Sequence, residues 1–371
     1  FIFIIYKMNM QMNNFNMIQF SNFQNQNNQN MMFTCPYKPI ITNSYTNEIN
    51  DPTFINATLQ AFSCLKNIHI WIQNLNNQNI MYNGNMNLTK YLYNVYYNLF
   101  CGQISDSSIF IINYINLYKN KYGQDIPKDP YHFLFYLMDF IHSENNYPSN
   151  PNYVLSILQN QNLESKRNKS HMQNIFNQFL NQTQNSVISS NFYNIMGNTI
   201  KCSNCPDIYY YTFKYIIKFK IDDYKNFRNQ IYPNKMNTSL TIEECFDCYT
   251  GGYTFQCSEC GNFQSKSYIS FYSTNKVLII ALVRKNHIFC CDVDFKNKLN
   301  INDYYEQGKM TNKNYFLKGC VSLNTQGKYF ADVCINNYWY RFYENNFYML
   351  ENVNQEIHKF EPQLLFYEME D

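Results

Sequence analysis

The sequence predicts an α+β protein in which helices come first along the chain and a largely antiparallel sheet follows. Helical periodicity dominates up to about residue 190, and alternating apolar patterns typical of half-buried strands begin near Phe192. Runs of helices followed by runs of strands favour this class. Hydrophobic residues make up 45% and aromatic residues 18% of the 371 residues, which is enough apolar material for a sizeable core.

The first predicted helix begins within "DPTFINATLQAF". Asp51 is placed to cap this helix, and Pro52 would stand at its first position, where a missing N–H costs nothing. A second helix begins at Asp129 and Pro130 and carries apolar residues on one face, namely Phe133, Leu134, Leu137, Met138 and Ile141. Residues 145–190 are polar with weak periodicity, so we expect a loop and a short helix there.

Alternating or continuous apolar runs predict the strands of the second half. These runs are Tyr209–Ile221, Val277–Val283, Tyr329–Ile335, Tyr338–Tyr343 and Gln363–Met369.

The N-terminal segment differs in composition from the rest of the chain. Met8 to Met32 consists mostly of Asn, Gln and Met, so we predict a disordered segment over residues 1–35 and a folded domain over residues 36–371. The chain begins with Phe rather than Met, and we expect an incomplete or over-extended gene model.

Charge and apolar run lengths restrict the partners. A net charge of +2 argues against a direct nucleic-acid partner. The opening "FIFIIY" is too short for a membrane span, and the longest later apolar run, "VLIIALV", has seven residues, so we expect no membrane contact.

The thirteen cysteines include three C-x-x-C pairs, a pattern that indicates metal binding in a reducing compartment. The pairs are Cys202 with Cys205, Cys245 with Cys248, and Cys257 with Cys260. We favour the outer two pairs as a closed tetrahedral Zn²⁺ site of structural type, because four thiolates leave no position for a reactive water. The alternative joins the second and third pairs; otherwise Cys245 and Cys248 are small buried apolar residues.

Five segments in order resemble the boxes of the ubiquitin-specific protease family of deubiquitinases, from about Thr46 to Glu368. "EINDPTFINATLQAF" is similar to N-x-x-x-T-C-F-M-N-S-x-L-Q-x-L, and "KDPYHFLFYLMDFIHSE" is similar to Q-D-A-x-E-F-L-x-x-L-L-D-x-L-H-x-E. The cysteine knuckles, "KVLIIALVR" and the closing "GKYFADV", "YWYRFYENN" and "LLFYE" follow in the family's order.

The resemblance implies a papain-like cysteine protease fold. Its helical thumb would span about residues 40–190, its zinc-knuckle fingers about 191–275 and its antiparallel palm about 276–371. It also implies a cytoplasmic or nuclear protein of the ubiquitin system, with ubiquitin or a ubiquitinated protein as a partner and other protein partners besides.

The catalytic positions of the family are all changed in this chain. The nucleophilic Cys corresponds to Thr53, the His to Lys328 and the first acid to Tyr343, which Glu344 follows. The oxyanion Asn corresponds to Glu48. Losing triad members costs about 10⁶-fold in a serine protease, so the resemblance implies an inactive site.

A Thr–Lys dyad is the alternative to an inactive site. Lys328 could act as the base only if its pKa fell to about 7 from ~10.4, which requires burial without a counter-charge. We expect Glu48 to supply that counter-charge through an ion pair with Lys328. Thr53 is then an ordinary residue of the first helical turn.

The ubiquitin-tail contacts implied by the family are partly changed. Asp129 remains, either as a contact or only as a helix cap, but His132 replaces the family's Glu, so one carboxylate partner for an arginine of the tail is lost. Three hypotheses follow: a pseudo-deubiquitinase that binds ubiquitin or another protein, an active deubiquitinase with non-standard residues, and an interaction module without ubiquitin binding, as in RNA-processing complexes.

Overall fold

The structure is a computed structural model of the chain. It describes residues 37–43, 49, 51–77, 87–149, 162–235, 238–257, 259–306 and 313–370. The predicted disordered segment over residues 1–35 lies outside these residues. Within them, no helix has the length and apolar composition needed to cross a lipid bilayer.

Eight helices precede the first long strand, and three more lie within the strand-rich half of the described chain. They are α1 Thr53–Phe62, α2 Lys66–Asn77, α3 Asn87–Phe100, α4 Ser108–Tyr122, α5 Pro130–Asn145, α6 Leu163–Arg167, α7 Lys169–Thr183, α8 Val187–Phe192, α9 Ile221–Ile231, α10 Ile242–Thr250 and α11 Val353–Ile357. Helices therefore come first, as the sequence predicts.

The start of α1 differs from the prediction by one residue. Pro52 is the N-cap residue rather than the first helical residue, and the helix begins at Thr53. Asp51 still satisfies one of the free N–H groups of the first turn, because its Oδ1 accepts the Thr53 N–H at 3.0 Å. The prediction for α5 is confirmed: Asp129 caps it by accepting the His132 N–H, and Pro130 is its first residue.

The expectation of a loop and one short helix over residues 145–190 is wrong for the described part. Helix α7 alone has 15 residues, and α6 and α8 flank it. Three of its five apolar residues, Met172, Phe176 and Phe179, lie on one buried face. The polar Asn and Gln residues around them hide this period, and the buried face outweighs their low helix propensity.

The described strands form two sheets of four or more strands and two short parallel pairs. The strands are β1 Ile40–Ile41, β2 Ser105–Asp106, β3 Asn194–Lys201, β4 Ile208–Lys214, β5 Ile216–Lys220, β6 Leu240–Thr241, β7 Tyr253–Phe255, β8 Ser265–Ser273, β9 Val277–Val283, β10 Val293–Asp294, β11 Lys298–Asn300, β12 Asn314–Leu323, β13 Tyr329–Ile335, β14 Tyr338–Tyr343, β15 Asn346–Met349 and β16 Glu361–Met369.

The eight-stranded sheet, here called the large sheet, has the order β15-β14-β13-β12-β16-β9-β5, and β11 also pairs with β12. Only β5 and β9 pair in parallel. Strands β9, β13 and β14 match their predicted bounds, and β16 begins two residues before its predicted start. The predicted run Tyr209–Ile221 is instead divided between β4 and β5, and Ile221 begins α9.

The four-stranded sheet, here called the small sheet, has the order β4-β3-β8-β7. It joins the large sheet through a shared core in which Met196 and Phe271 pack with residues of β9 and β12. On the other side of the large sheet, α1 packs against β13, and the Phe54 and Tyr329 rings meet at 6.4 Å. The start of α1 and the start of β13 therefore face each other across one cleft.

Candidate functional site

Thr53 lies at the mouth of the cleft between α1 and β13. Its Oγ1 accepts a hydrogen bond from the Tyr329 N–H at 3.3 Å, and its own N–H is donated to Asp51. The structure therefore brings the predicted nucleophile position next to β13, which begins one residue after Lys328. The Thr53 hydroxyl is therefore bonded to β13, and the Thr53 backbone N–H is bonded to the residue that precedes Pro52.

Lys328 is paired with a carboxylate. Its Nζ lies 2.9 Å from Asp51 Oδ2, and both side chains are 37% exposed. The hydrogen bond to Asp51 raises the pKa of Lys328, and the charge of Glu344 acts in the same direction. Burial opposes ionisation of Asp51, but hydrogen bonds from Lys328 and Thr53 outweigh it and lower the Asp51 pKa. An ammonium and a carboxylate therefore flank Thr53.

The predicted partner of Lys328, Glu48, lies outside the described residues. Sequence reasoning considered Asp51 only as a helix cap and missed its second role. The sequence did contain an indication of this role. Asp51 lies two residues before Thr53, and a carboxylate that caps the helix from this position must lie close to Thr53.

Tyr343 is turned toward a different neighbour. Its hydroxyl donates to Gln326 Oε1 at 3.2 Å, in the turn between β12 and β13. The same turn holds the start of β13, because Asn324 Oδ1 accepts the Lys328 N–H at 2.9 Å and Gly327 takes a φ of 74°. A phenol bound to an amide supplies no carboxylate to orient a base, and the adjacent Glu344 is exposed.

A small cavity of about 20 Å³ lies beside Thr53, between α1 and the large sheet. Its lining residues are Pro39, Ile40, Thr53, Asn56, Ala57, Gln60, Tyr329, Phe342 and Glu344. Gln60 fixes the chain before α1 to this cavity, since its Oε1 accepts the Ile40 N–H at 3.0 Å. The volume fits one water molecule rather than a substrate group.

A histidine near the same end of the large sheet is oriented by an acid. His287 Nδ1 lies 2.7 Å from Oε1 of the fully buried Glu361, and Glu361 and Tyr329 both pair with Leu323 of β12. Cys290 is exposed in the loop that follows His287. Among the described residues, no hydrogen bond joins this histidine to a cysteine, so no substitute Cys–His pair stands beside Thr53.

Asp129 and His132 form a closed pair at the start of α5. Asp129 Oδ1 accepts the His132 N–H at 2.9 Å, and Asp129 Oδ2 lies 2.6 Å from His132 Nδ1. Both oxygens of the carboxylate therefore have partners within the chain. Asp129 has the residue type that the resemblance implies for binding a cationic tail, but His132 already contacts both of its carboxylate oxygens.

The outer cysteine pairs converge at the tip of the small sheet. The ligand atoms of Cys202, Cys205, Cys257 and Cys260 all lie within 4.8 Å of one another. Cys202 Sγ and Cys260 Sγ are 3.5 Å apart, close to the ~3.8 Å edge of a tetrahedron with 2.3 Å metal–sulfur bonds.

Neighbouring groups act on the four thiols in opposite directions: hydrogen bonds lower the pKa of Cys202 and Cys257, whereas hydrogen bonds among the cluster thiols raise the pKa of Cys205 to about 12 and also raise that of Cys260. Hydrogen bonds from the Ser265 side chain and the Asn204 N–H lower the pKa of Cys202 to about 6, and the N–H groups of Cys260 and Glu259 lower the pKa of Cys257. Cys thiolates are the ligands of closed structural zinc sites. These four residues therefore fit a metal ion of that kind.

The competing partners for this site lie elsewhere. Cys245 and Cys248 are on α10, where Cys245 is fully buried in the core shared by the two sheets. Burial raises the pKa of both thiols, to about 11 for Cys248. They pack as small residues in or against this core, and the sulfurs that converge are those of the first and third C-x-x-C motifs.

Comparison with known proteins gives the same fold. A chain of the yeast SAGA DUB module has a TM-score of 0.62 at 15% identity, over 94% of this chain and 72% of that one. The SAGA DUB module of Ubp8, Sgf11, Sus1 and Sgf73 bound to monoubiquitin has a TM-score of 0.62 at 14% identity, over 97% and 75%. No curated protein sequence has significant similarity to this chain.

The sequence profile named ubiquitin carboxyl-terminal hydrolase matches residues 46–367, which include every element from α1 to β16 apart from the last residues of β16. The match covers the cleft beside Thr53, the cysteine cluster and both sheets. The chain belongs to the ubiquitin carboxyl-terminal hydrolase family.

Proposed function

We propose that this chain is a pseudo-deubiquitinase, which binds ubiquitin or a ubiquitinated protein and does not cleave it. The observation that carries the proposal is the ion pair of Lys328 with Asp51 at 2.9 Å. A hydroxyl nucleophile needs a base that accepts its proton, and a lysine stabilised as an ammonium cannot accept one. The base position therefore carries a group in the wrong protonation state.

The electrostatics around Thr53 argue against hydrolysis in a second way. Asp51 bears a negative charge within hydrogen-bond distance of the Thr53 N–H, where an attacking hydroxyl would itself develop negative charge. Tyr343 supplies no carboxylate, because its hydroxyl bonds Gln326. Glu48, at the oxyanion position, would add a further negative charge.

Binding is a separate matter from cleavage. The solved SAGA DUB module with the same fold is bound to monoubiquitin, and we propose that this chain uses the corresponding surfaces, divided into thumb, fingers and palm as its sequence implies. We further propose that the cysteine cluster holds one structural Zn²⁺. The likeness to a SAGA component supports a nuclear protein that assembles with other subunits.

The proposal is tested by titrating purified protein with ubiquitin in a calorimeter, with ubiquitin that lacks its last two glycines as the matched control. Saturable binding that weakens for the truncated ubiquitin supports a retained tail channel. Binding with equal affinity for both forms would instead place the contact on the globular part of ubiquitin, which still agrees with a ubiquitin-binding scaffold.

Two other outcomes would favour the other hypotheses. No binding at high ubiquitin concentration would point to an interaction module that has lost ubiquitin. Release of a fluorophore from a ubiquitin conjugate, measured in a separate assay, would point to an active deubiquitinase that uses Thr53, although the Thr53 hydroxyl is bonded to the Tyr329 N–H, which is not a base.

A further inference from the structure

Helices α6 and α7 lie along one face of the small sheet. The Phe176 and Tyr211 rings meet at 6.1 Å, and Asn177 Nδ2 donates to the Tyr272 hydroxyl at 3.0 Å. Phe176 is 3% exposed, so this face of α7 is fully covered. We name α6 and α7 together the clasp.

At the base of the small sheet the clasp is held by a buried carboxylate. The Glu306 side chain is 6% exposed, and its Oε2 lies 2.9 Å from Lys169 Nζ and 3.2 Å from Gln173 Nε2, both on α7. Glu306 lies flat over Gly197 of β3, where any Cβ would clash with its carboxylate. The absence of a side chain at this position therefore allows the contact.

At the tip of the small sheet the clasp is held by the metal knuckle. Arg167 Nη2 of α6 lies 2.6 Å from Glu259 Oε2, and these side chains are 33% and 19% exposed. Glu259 stands between two members of the cysteine cluster, Cys257 and Cys260. Lys166, beside Arg167, places its Nζ 5.5 Å from the centre of the Tyr210 ring on the neighbouring strand.

Hydrogen bonds hold the described part of the loop that carries Glu259. Two are backbone bonds, from the Cys257 N–H to Asn262 O and from the Gly261 N–H to Cys257 O, and Asn262 Nδ2 also donates to the Ser203 hydroxyl. Cys260 is exposed, and the Glu259 side chain is 19% exposed beside Arg167. A bound metal supplies most of the ordering energy of such knuckles, so its presence decides whether Glu259 faces Arg167.

We propose that metal occupancy of the Cys202, Cys205, Cys257 and Cys260 cluster controls the closure of the clasp over the small sheet through the Arg167–Glu259 ion pair. With metal bound, the clasp is closed at both ends. Without metal, the tip contact is lost, and α6 opens about the Glu306 contact that Lys169 and Gln173 make at the start of α7. Opening removes Lys166 from the Tyr210 ring, which is already 37% exposed.

Hydrogen–deuterium exchange with mass spectrometry on the full chain tests this directly. Zinc-loaded protein is compared with protein whose metal has been removed by a chelator, with metal content checked by elemental analysis. Chelation is expected to raise exchange over residues 163–168 together with the knuckle, while β12 and β13 keep their protection. Unchanged exchange over residues 163–168, with a faster knuckle, would overturn the proposal.

A charge variant isolates the ion pair from the metal ligands. In zinc-loaded Glu259→Gln, exchange over residues 163–168 is expected to rise about two- to fivefold, the change that loss of a partly exposed ion pair produces. Glu351→Gln removes an exposed charge outside the clasp and the knuckle, and it is expected to leave exchange over residues 163–168 unchanged.

The Glu259→Gln variant also tests the proposal if the metal-free protein unfolds completely. Equal exchange in zinc-loaded wild type and Glu259→Gln would overturn the proposal in that case, because the charge pair would then hold nothing. Equal responses of Glu259→Gln and Glu351→Gln would likewise assign the effect to net charge rather than to this contact.

Discussion

Asp51 serves two neighbours at the residue scale, since it accepts the Thr53 N–H and pairs with Lys328. A helix N-terminus favours a negative charge, and an ammonium beside it adds to the effect. The carboxylate thus occupies the electrostatic environment in which an active relative would stabilise a thiolate. Thr53 at the same place remains a neutral hydroxyl that accepts a backbone hydrogen bond.

The first prediction concerns the protonation of Lys328. Because its hydrogen bond to Asp51 raises its pKa, Lys328 should remain an ammonium at pH values above the ordinary lysine range near ~10.4. Asp51→Asn should lower that pKa, since the neutral amide no longer favours the charged amine. Side-chain NMR titration of isotope-labelled lysine measures both, and a Lys328 pKa near neutrality would support the dyad instead.

The second prediction concerns His132. His132→Glu should release Asp129 from its histidine partner and place two carboxylates at the start of α5, which tightens binding of a tail that carries arginine by about tenfold. The matched control is His132→Gln, which removes the imidazole without adding charge. A calorimetric titration with ubiquitin measures this, and equal affinities for the two variants would show that the carboxylate pair is not part of the contact.

At the scale of elements, the end of β9 is fixed by a buried ion pair. Arg284, whose side chain is 1% exposed, pairs with Asp292 in the following loop, and Lys225 of α9 lies 2.8 Å from the other carboxylate oxygen. Arg284 Nη1 also donates to Pro362 O of β16 at 2.8 Å. This group of charges therefore joins a helix, a loop and two neighbouring strands.

The third prediction concerns Asp292. Burial opposes its ionisation, but hydrogen bonds from Arg284 and Lys225 outweigh burial and hold its pKa below the usual value. A lowered carboxyl pKa contributes stability above the unfolded-state pKa of ~3.9 and loses it as pH falls. Asp292→Asn should cost about 3–5 kcal/mol near neutrality, because Arg284 is left buried without its partner.

Urea unfolding of wild type and Asp292→Asn from pH 3 to pH 7 checks this prediction. The difference in unfolding free energy should be constant above about pH 5 and should narrow below about pH 4. Asp223→Asn is the control, since Asp223 and its partner Lys285 are 46% and 73% exposed. A difference for Asp292→Asn that grows as the pH falls would contradict the account.

The fourth prediction concerns the cysteine cluster. Cys202→Ser should abolish stoichiometric zinc binding, because a closed four-thiolate site loses one of its ligands. Cys248→Ala changes a thiol of the same kind on α10 and should retain one zinc per chain. Elemental analysis of the purified variants measures this, and metal loss from Cys248→Ala would show that the second C-x-x-C pair takes part.

Sequence patterns were sufficient where burial follows a simple period. Strands β9 and β13 are continuous apolar runs or regular alternations, and their bounds match the prediction. Sequence patterns were insufficient where most residues of a helix are polar and only a few form its buried face. In α7, Met172, Phe176 and Phe179 form the buried face within an Asn- and Gln-rich sequence, and the break at Tyr215 separates two strands that belong to different sheets.

At the scale of the whole molecule, the fold of the family is retained, and the proposed loss of activity concerns only the cleft beside Thr53. The sequence boxes predicted the α+β class, the order of elements and the four converging cysteines. They did not predict that Lys328 meets Asp51, because residues 277 positions apart are brought together only by packing of α1 against β13. Pairings of this kind depend on tertiary structure rather than on local periodicity.

The most direct test of the proposed inactivity is the hydrolysis of a ubiquitin–fluorophore conjugate by purified wild type and by Thr53→Ala. Because the base position is an ammonium held by Asp51, the release of fluorophore should equal the buffer background for both proteins. Zinc-loaded protein with confirmed folding serves for both measurements. Turnover by wild type that disappears in Thr53→Ala would contradict the account, since Thr53 would then be a working nucleophile.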